Sequence, residues 1–282
     1  MSDPPPLDES LLKSWVGREE VARDVVTEDL ARKFAVTLGT PVPQVGEAVP
    51  PLLHFCLAQP ALPLDVLGPD GHPRKGGFLP PVPLPRRMWA GGDVTFHRDL
   101  CVGDTVLRRS RIADVTIKEG RTGRLCFVSV HHVLETGGTA AIDEIQTIVY
   151  RDATPVAPAS KAFVPAPAGQ TTARIVATPT LLFRYSALTF NGHRIHYDRR
   201  YAVEDEGYAG LVVHGPLQAT WLCHMAARVA GRTPARFTYR GQSPVSDGET
   251  IGIHAGPLAD GRLALWTARE GGPVAMSGEA FW

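Results

Sequence analysis

The chain has no excess of charge of either sign: Lys+Arg and Asp+Glu are both 29 among 282 residues. No whole-molecule field is therefore available to attract nucleic acid or an acidic membrane surface, and an anionic ligand must be held by local arginines. Cysteine is scarce. Cys56, Cys101, Cys126 and Cys223 are scattered, with no CxxC pair and no histidine at zinc-finger spacing, which argues against a disulfide framework and for reduced thiols in a cytosolic setting. No apolar run reaches the roughly 20 residues of a membrane span. The opening Met1-Ser2-Asp3-Pro4-Pro5-Pro6 lacks the basic-then-apolar layout of a secretion signal. A P-loop, a GxGxxG after a strand and a GxSxG elbow are missing as well. His131-His132 lies in a strand pattern that sends neighbouring side chains to opposite faces, so the pair cannot grip one metal. These absences lead us to expect a cytoplasmic protein without nucleic-acid, membrane or metal partners.

Proline and glycine, by contrast, are plentiful, and they divide the chain. From Ala153 through Pro155, Pro158, Pro165 and Pro167 to Gly169 the proline density cannot sustain a helix or a central strand. This predicts a linker over 153–172 between a unit at 1–152 and a unit at 173–282. The two units resemble each other at an offset of 143 residues, with Thr95 matching Thr238 and Val102 matching Val245. Each continues into long strands joined by glycine turns, Gly137-Gly138 in the first, and Asp260-Gly261 and Gly271-Gly272 in the second. A duplicated α+β unit follows.

Helices are expected where capping and period agree. Thr27 is an N-cap residue ahead of Glu28 and Asp29; Leu30, Phe34 and Leu38 then recur at i, i+4, i+8, and Gly39 stops the run. Leu217 to Ala230, closed by Gly231, is apolar on most sides and reads as a buried central helix. Between Leu62 and Arg87 a Pro/Gly-rich stretch is too long for a simple connection, so it is either a lid over a site or an irregular covering.

The residues that can carry chemistry gather in the second unit. Tyr185 to Asp198 contains Asn191, His193 and His196, followed by His214-Gly215-Pro216 at the start of the apolar helix. Histidine changes charge near neutral pH, which makes His196 the candidate base and His193 a second proton handler, with Asn191 able to position water. Gly215, beside a helix-starting proline, offers an amide to a developing oxyanion at the positive end of the helix dipole. Tyr185, Arg184, Arg194 and His214 are the candidate substrate contacts, and Arg199 and Arg200 belong to the same arginine cluster. Guanidinium groups pair bidentately with carboxylate or phosphate, so one of these arginines is expected to hold an anionic part of the substrate.

The stretch Tyr185 to Ala202 resembles the hydratase motif of the MaoC-like enoyl-CoA hydratases, in which an Asp and a His five residues apart act on water. Here Asn191 stands at the Asp position and His196 at the His. Ala187 to Asp198 together with Gly207 to Gln218, and Trp89-Ala90-Gly91-Gly92 in the first unit, are similar to the mesaconyl-C4-CoA (3-methylfumaryl-CoA) hydratases and the mitochondrial-type hydroxyacyl-thioester dehydratases. The resemblance implies an α+β double hot-dog, two antiparallel sheets each wrapping a central helix. It also implies an N-terminal unit that shapes the acyl pocket and a catalytic C-terminal unit. The implied reaction is reversible hydration of an enoyl-CoA, with no cofactor beyond the coenzyme A that belongs to the substrate, in a possible homodimer. The alternatives are a dehydratase of fatty-acid metabolism and a non-catalytic acyl-thioester-binding module. A thioesterase ranks below both, because no Asp or Glu lies between Leu217 and Ala230.

Overall fold

The computed structural model describes residues 6–120, 123–152 and 163–282. The opening residues 1–5 and the linker residues 153–162 lie outside the described part. A short helix α1 (Glu9–Lys13) precedes strand β1 (Glu19–Val25) and helix α2 (Glu28–Leu38), after which come β2 (Arg86–Phe96), β3 (Thr105–Gly120), β4 (Gly123–Thr136) and β5 (Thr139–Arg151). The second half repeats the theme with β6 (Thr171–Val176), α3 (Pro179–Leu188), α4 (Gly215–Ala230), β7 (Arg236–Gly241), β8 (Thr250–Ala255), β9 (Arg262–Arg269) and β10 (Val274–Phe281). The helix signals act as expected. The Thr27 hydroxyl accepts from Leu30 N–H, and Gly39 and Gly231 both close their helices in the left-handed conformation.

Among the described residues, ten strands join one antiparallel sheet in the order β1-β3-β4-β5-β2-β7-β10-β9-β8-β6. Read from its centre outward, each half has the same sequence of strands, so the chain duplication is written into the sheet. The halves meet where β2 pairs with β7, and there Val94 lies opposite Phe237. These two residues are separated by the repeat offset of 143, which places the pseudo-twofold axis between equivalent positions. Asp93 and Arg236, at the same offset, pair across the seam at 2.8 and 2.5 Å.

The halves differ in what their sheets enclose. In the second, α4 packs on β7, β8, β9 and β10, and Leu217, Ala219, Leu222, Cys223 and Ala226 are fully buried. That burial is what an apolar sixteen-residue helix gains by being wrapped. In the first half no helix of that length lies between β1 and β2. Two single turns, Leu53–Cys56 and Leu64–Val66, and the Pro/Gly-rich stretch occupy the corresponding stretch of chain. The central helix expected in each unit is long and buried in the second; in the first, expected as a degenerate copy that shapes the acyl pocket, single turns stand in its place and the concave side of β3, β4 and β5 faces a cavity.

Candidate active site

The motif loop is built by local hydrogen bonds at the end of α3. Thr189 donates its hydroxyl to the Tyr185 carbonyl at 2.8 Å, Phe190 takes a positive φ of 48°, and Asn191 N–H returns to the Ser186 carbonyl at 2.8 Å. Asn191 Oδ1 then accepts from His193 N–H at 3.0 Å, closing an Asx turn that leads into the single helical turn Arg194–His196. The result presents two adjacent buried imidazoles, His193 and His196.

His196 has a defined tautomer. Its Nδ1–H donates to the Val212 carbonyl at 2.7 Å, while Val212 N–H donates to the Ile195 carbonyl at 2.9 Å. A backbone carbonyl can only accept, so Nε2 is left with its lone pair. His214 stacks on His196 with ring centroids 3.6 Å apart and hydrogen-bonds through Nε2 to Ser186 Oγ at 2.8 Å. Burial pushes the His196 pKa down to about 4, and burial with the nearby His196 and His193 holds His214 well below its ordinary value. His193 is lowered by burial first and then by His72 and His196. All three are neutral at pH 7 and able to accept a proton.

Gly215 opens α4 directly after His214, and its N–H has no hydrogen-bond partner among the described residues. A Cβ there would lie 3.4 Å from the Trp89 carbonyl, so the backbone comes close to β2 at this point. With Pro216 removing the next donor, the free Gly215 amide and the helix dipole form a small anion-stabilising spot.

The remaining wall comes from the first half. Arg194 N–H donates to the Asp70 carbonyl at 2.9 Å, and Gly71 touches Gly192 so closely that a Cβ on Gly71 would sit 1.9 Å from the Gly192 oxygen. This contact carries His72 onto His193, with ring centroids 4.2 Å apart. Asp70 Oδ2 accepts from His72 Nδ1 at 3.1 Å, and Arg87 Nη2 stands 3.7 Å from the same oxygen. Between the halves lies a cavity of about 1600 Å³, and Tyr185, Asn191, His193, His196, His214 and Gly215 all line it. Its far side is polar: His54 and Glu144 are 3.4 Å apart, and His132 is held by Ser110 at 2.8 Å and Gln146 at 2.9 Å. Burial pushes the Glu144 carboxyl up, but His54, His132 and Arg108 more than offset this and hold it below its ordinary value.

The expected arginines are corrected by this arrangement. Arg184 is exposed on α3 and does not line the cavity. Arg194 pairs with Asp198 at 2.8 Å, donates to the Pro69 carbonyl at 3.0 Å and lies over the Tyr201 ring. Arg199 pairs with Asp247, and Arg200 with Glu204. None of the four lines the cavity, so none is placed to hold an anionic group inside it. His214 and Tyr185 do line the cavity, but as supports: His214 under His196, and Tyr185 with its ring 5.1 Å from His214 and its hydroxyl 3.4 Å from Thr220 Oγ1. Sequence reasoning missed Asp70, His72 and Arg87. The one signal that could have found them was the Pro/Gly-rich stretch, which proves to be a wall of the site.

Asp70, His72 and His193 offer ligand-type atoms within 4.8 Å of one another. The fit to a metal ion is poor, because the Asp70–His72 hydrogen bond already uses both groups and the Arg87 guanidinium beside the carboxylate opposes a second cation.

Comparison with known proteins agrees with this architecture. The family model for hydroxyacyl-thioester dehydratase type 2 matches residues 52–247. Mesaconyl-C(4)-CoA hydratase of Chloroflexus aurantiacus is 41% identical over 94% of this chain and 95% of its own length. The mitochondrial hydroxyacyl-thioester dehydratase type 2 of Schizosaccharomyces pombe is 29% identical over 69% of this chain and 73% of its own. Among solved structures, a MaoC-like dehydratase from Phytophthora capsici superposes with a TM-score of 0.70 at 17% identity, covering 98% of this chain and 99% of its own. A Mycobacterium tuberculosis protein described as having a double hotdog fold gives 0.54 at 15% identity, over 94% and 96%.

Proposed function

The chain belongs to the hydroxyacyl-thioester dehydratase type 2 family, and on that footing we propose that this hydro-lyase reversibly hydrates mesaconyl-C4-CoA to a malyl-CoA derivative. The observation that carries the chemistry is the fixed tautomer of His196, whose free Nε2 belongs to the same cavity as the unpaired Gly215 amide. In the hydration direction the thioester carbonyl accepts from Gly215 N–H. Asn191, with Oδ1 engaged by His193 N–H, has its amide N–H groups left to hold the water. His196 Nε2 removes a proton from that water as its oxygen bonds to the β-carbon. The double-bond electrons shift toward the thioester, and the charge that develops on its oxygen is met at the start of α4. The proton then passes from the His196 imidazolium to the α-carbon, directly or relayed through His193, so both imidazoles return to neutral and water is added without net gain or loss of charge. His72, held by Asp70 and packed on His193, positions that second imidazole.

The alternative, a dehydratase working on long unbranched chains, is less well supported. The cavity carries the buried polar groups His54, Glu144 and His132 beside apolar lining such as Phe127 and Leu134, and an acyl tail laid against the former desolvates polar groups without pairing them. A cytoplasmic homodimer is part of the same proposal, supported by the four free cysteines and by the open sheet edges at β1 and β6. Among the described residues no helix is long and apolar enough to cross a membrane.

The test is to follow loss of the enoyl-thioester absorbance with mesaconyl-C4-CoA and crotonyl-CoA side by side. A clear preference for mesaconyl-C4-CoA is expected. Equal or faster turnover of crotonyl-CoA would move the protein to the dehydratase reading, and inactivity on both would leave a binding module.

A further inference from the structure

We infer that Arg87 is the residue that reads the free carboxylate of the acyl group, so that specificity for a dicarboxylic mono-thioester is supplied by the first half of the chain. The inference rests on the proposed reading of the substrate as a short enoyl thioester with a second carboxylate. Arg87 stands near the start of β2, where it pairs with Tyr150 of β5, while its neighbour Arg86 pairs with Arg151. Its side chain is only 9% exposed, it lines the cavity, and its Nε is buried without a hydrogen-bond partner among the described residues. Arg151 also lines the cavity and has an unpartnered buried Nε. Lys75, a third lining cation, donates to the Leu84 carbonyl and lies 5.6 Å over the Tyr150 ring.

The charge balance of this corner is uneven. Arg86 is matched by Glu206 at 3.5 Å, a carboxylate that also feels Arg151, while Arg87 and Lys75 share Asp70, which is already hydrogen-bonded to His72. Burial together with Arg87 lowers the Lys75 pKa, as expected of cations crowded in a poorly solvated place. Buried cations in excess of their partners are costly in the empty protein, and an anion entering the corner removes that cost.

Position identifies which anion. Arg87 reaches the reacting centre through Asp70, His72 and His193, each in contact with the next. The phosphates of coenzyme A are separated from the thioester by the whole pantetheine arm, so an arginine buried beside the catalytic imidazoles is on the wrong side of the substrate to meet them. In a four-carbon enoyl dicarboxylate, by contrast, the free carboxylate is bonded to the β-carbon that receives water. Arg87, linked to His193 through Asp70 and His72 in the wall of the same cavity, is therefore on the acyl side of the substrate, and bidentate pairing with that carboxylate also fixes the β-carbon against the water.

The experiment compares kcat/KM for mesaconyl-C4-CoA and crotonyl-CoA in wild type, Arg87→Met and Arg87→Lys, with circular dichroism to verify the fold. The expected result is that the ratio of the two values falls roughly 100-fold in Arg87→Met, mainly through KM for the dicarboxylate, on the scale of a lost charge-assisted pair. Arg87→Lys keeps the charge without the fork and should lose less, and it gives the same readout if the methionine variant fails to fold. An unchanged ratio overturns the inference, whether neither substrate is affected or both fall equally as they would if Arg87 held a coenzyme A phosphate. Wild-type enzyme that does not favour mesaconyl-C4-CoA would instead overturn the substrate reading itself, before any variant is examined.

Discussion

His196 and His214 lie face to face inside the protein, their ring centroids 3.6 Å apart and their planes within 18° of parallel. Two stacked imidazoles cannot both carry charge in a buried place, so the pair is neutral as folded, and any proton taken up by His196 is destabilised by burial and then by the nearby His72. That makes His196 a group that releases a proton readily, which suits a residue that must return one to carbon.

Stability should weaken in mild acid. His193, His196, His214 and His224 all have folded-state pKa values below the ordinary histidine value, with His196 and His224 lowered to about 4 mainly by burial. Because the unfolded chain binds these protons first, the stabilisation is complete above about pH 6.5 and is lost as pH falls toward 4. Between those values each histidine contributes a slope of about 1.4 kcal/mol per pH unit. Thermal melts from pH 7.5 to 4.5 should show Tm falling steeply below 6.5; a Tm constant across that range would contradict the neutral cluster.

Ser186→Ala removes the hydroxyl that hydrogen-bonds His214 Nε2 at 2.8 Å in a fully buried setting. The Nδ1 atom of the same ring is also buried and unpartnered among the described residues, so the variant leaves the imidazole without a hydrogen bond. A loss of about 1–3 kcal/mol in chemical denaturation is expected. Turnover should fall as well, since His214 supports the ring of the base.

Gly71→Ala tests whether the first half completes the site. Its backbone has φ +86°, and an added Cβ would collide with the Gly192 carbonyl at 1.9 Å, forcing the segment that carries Asp70 and His72 away from His193. Gly103→Ala is the control: it has φ +100° but open space around the Cβ position and lies in the turn before β3. Both should lose about 1 kcal/mol or more of stability from backbone strain. In steady-state kinetics Gly71→Ala should lose at least tenfold in kcat while Gly103→Ala keeps its rate.

Much of this molecule could be read from residues close together in sequence. Thr27 and Gly39 bracket α2, and Gly231 ends α4, because capping depends on chemistry within a few positions. The offset of 143 between the halves survives as the pairing of Val94 with Phe237. The cluster of Asn191, His193, His196 and Gly215 was legible for the same reason: a short loop and a helix start keep these residues together. Arg194 was misjudged although Asp198, four residues on, was already a partner in view. Asp70, His72 and Arg87 were hidden for a different reason. They join the site through a contact between Gly71 and Gly192, more than a hundred residues apart and without periodicity, and a sequence pattern carries no signal for such a contact.

The measurement that bears most directly on the account is kcat for hydration of mesaconyl-C4-CoA by His196→Gln beside wild type. Glutamine is close to imidazole in size and polarity but has no basic nitrogen. A positioned acid–base group contributes about 10²–10⁴-fold, so the variant should lose at least 100-fold in kcat with its fold intact. Retention of more than roughly a tenth of wild-type turnover would show that another group activates the water.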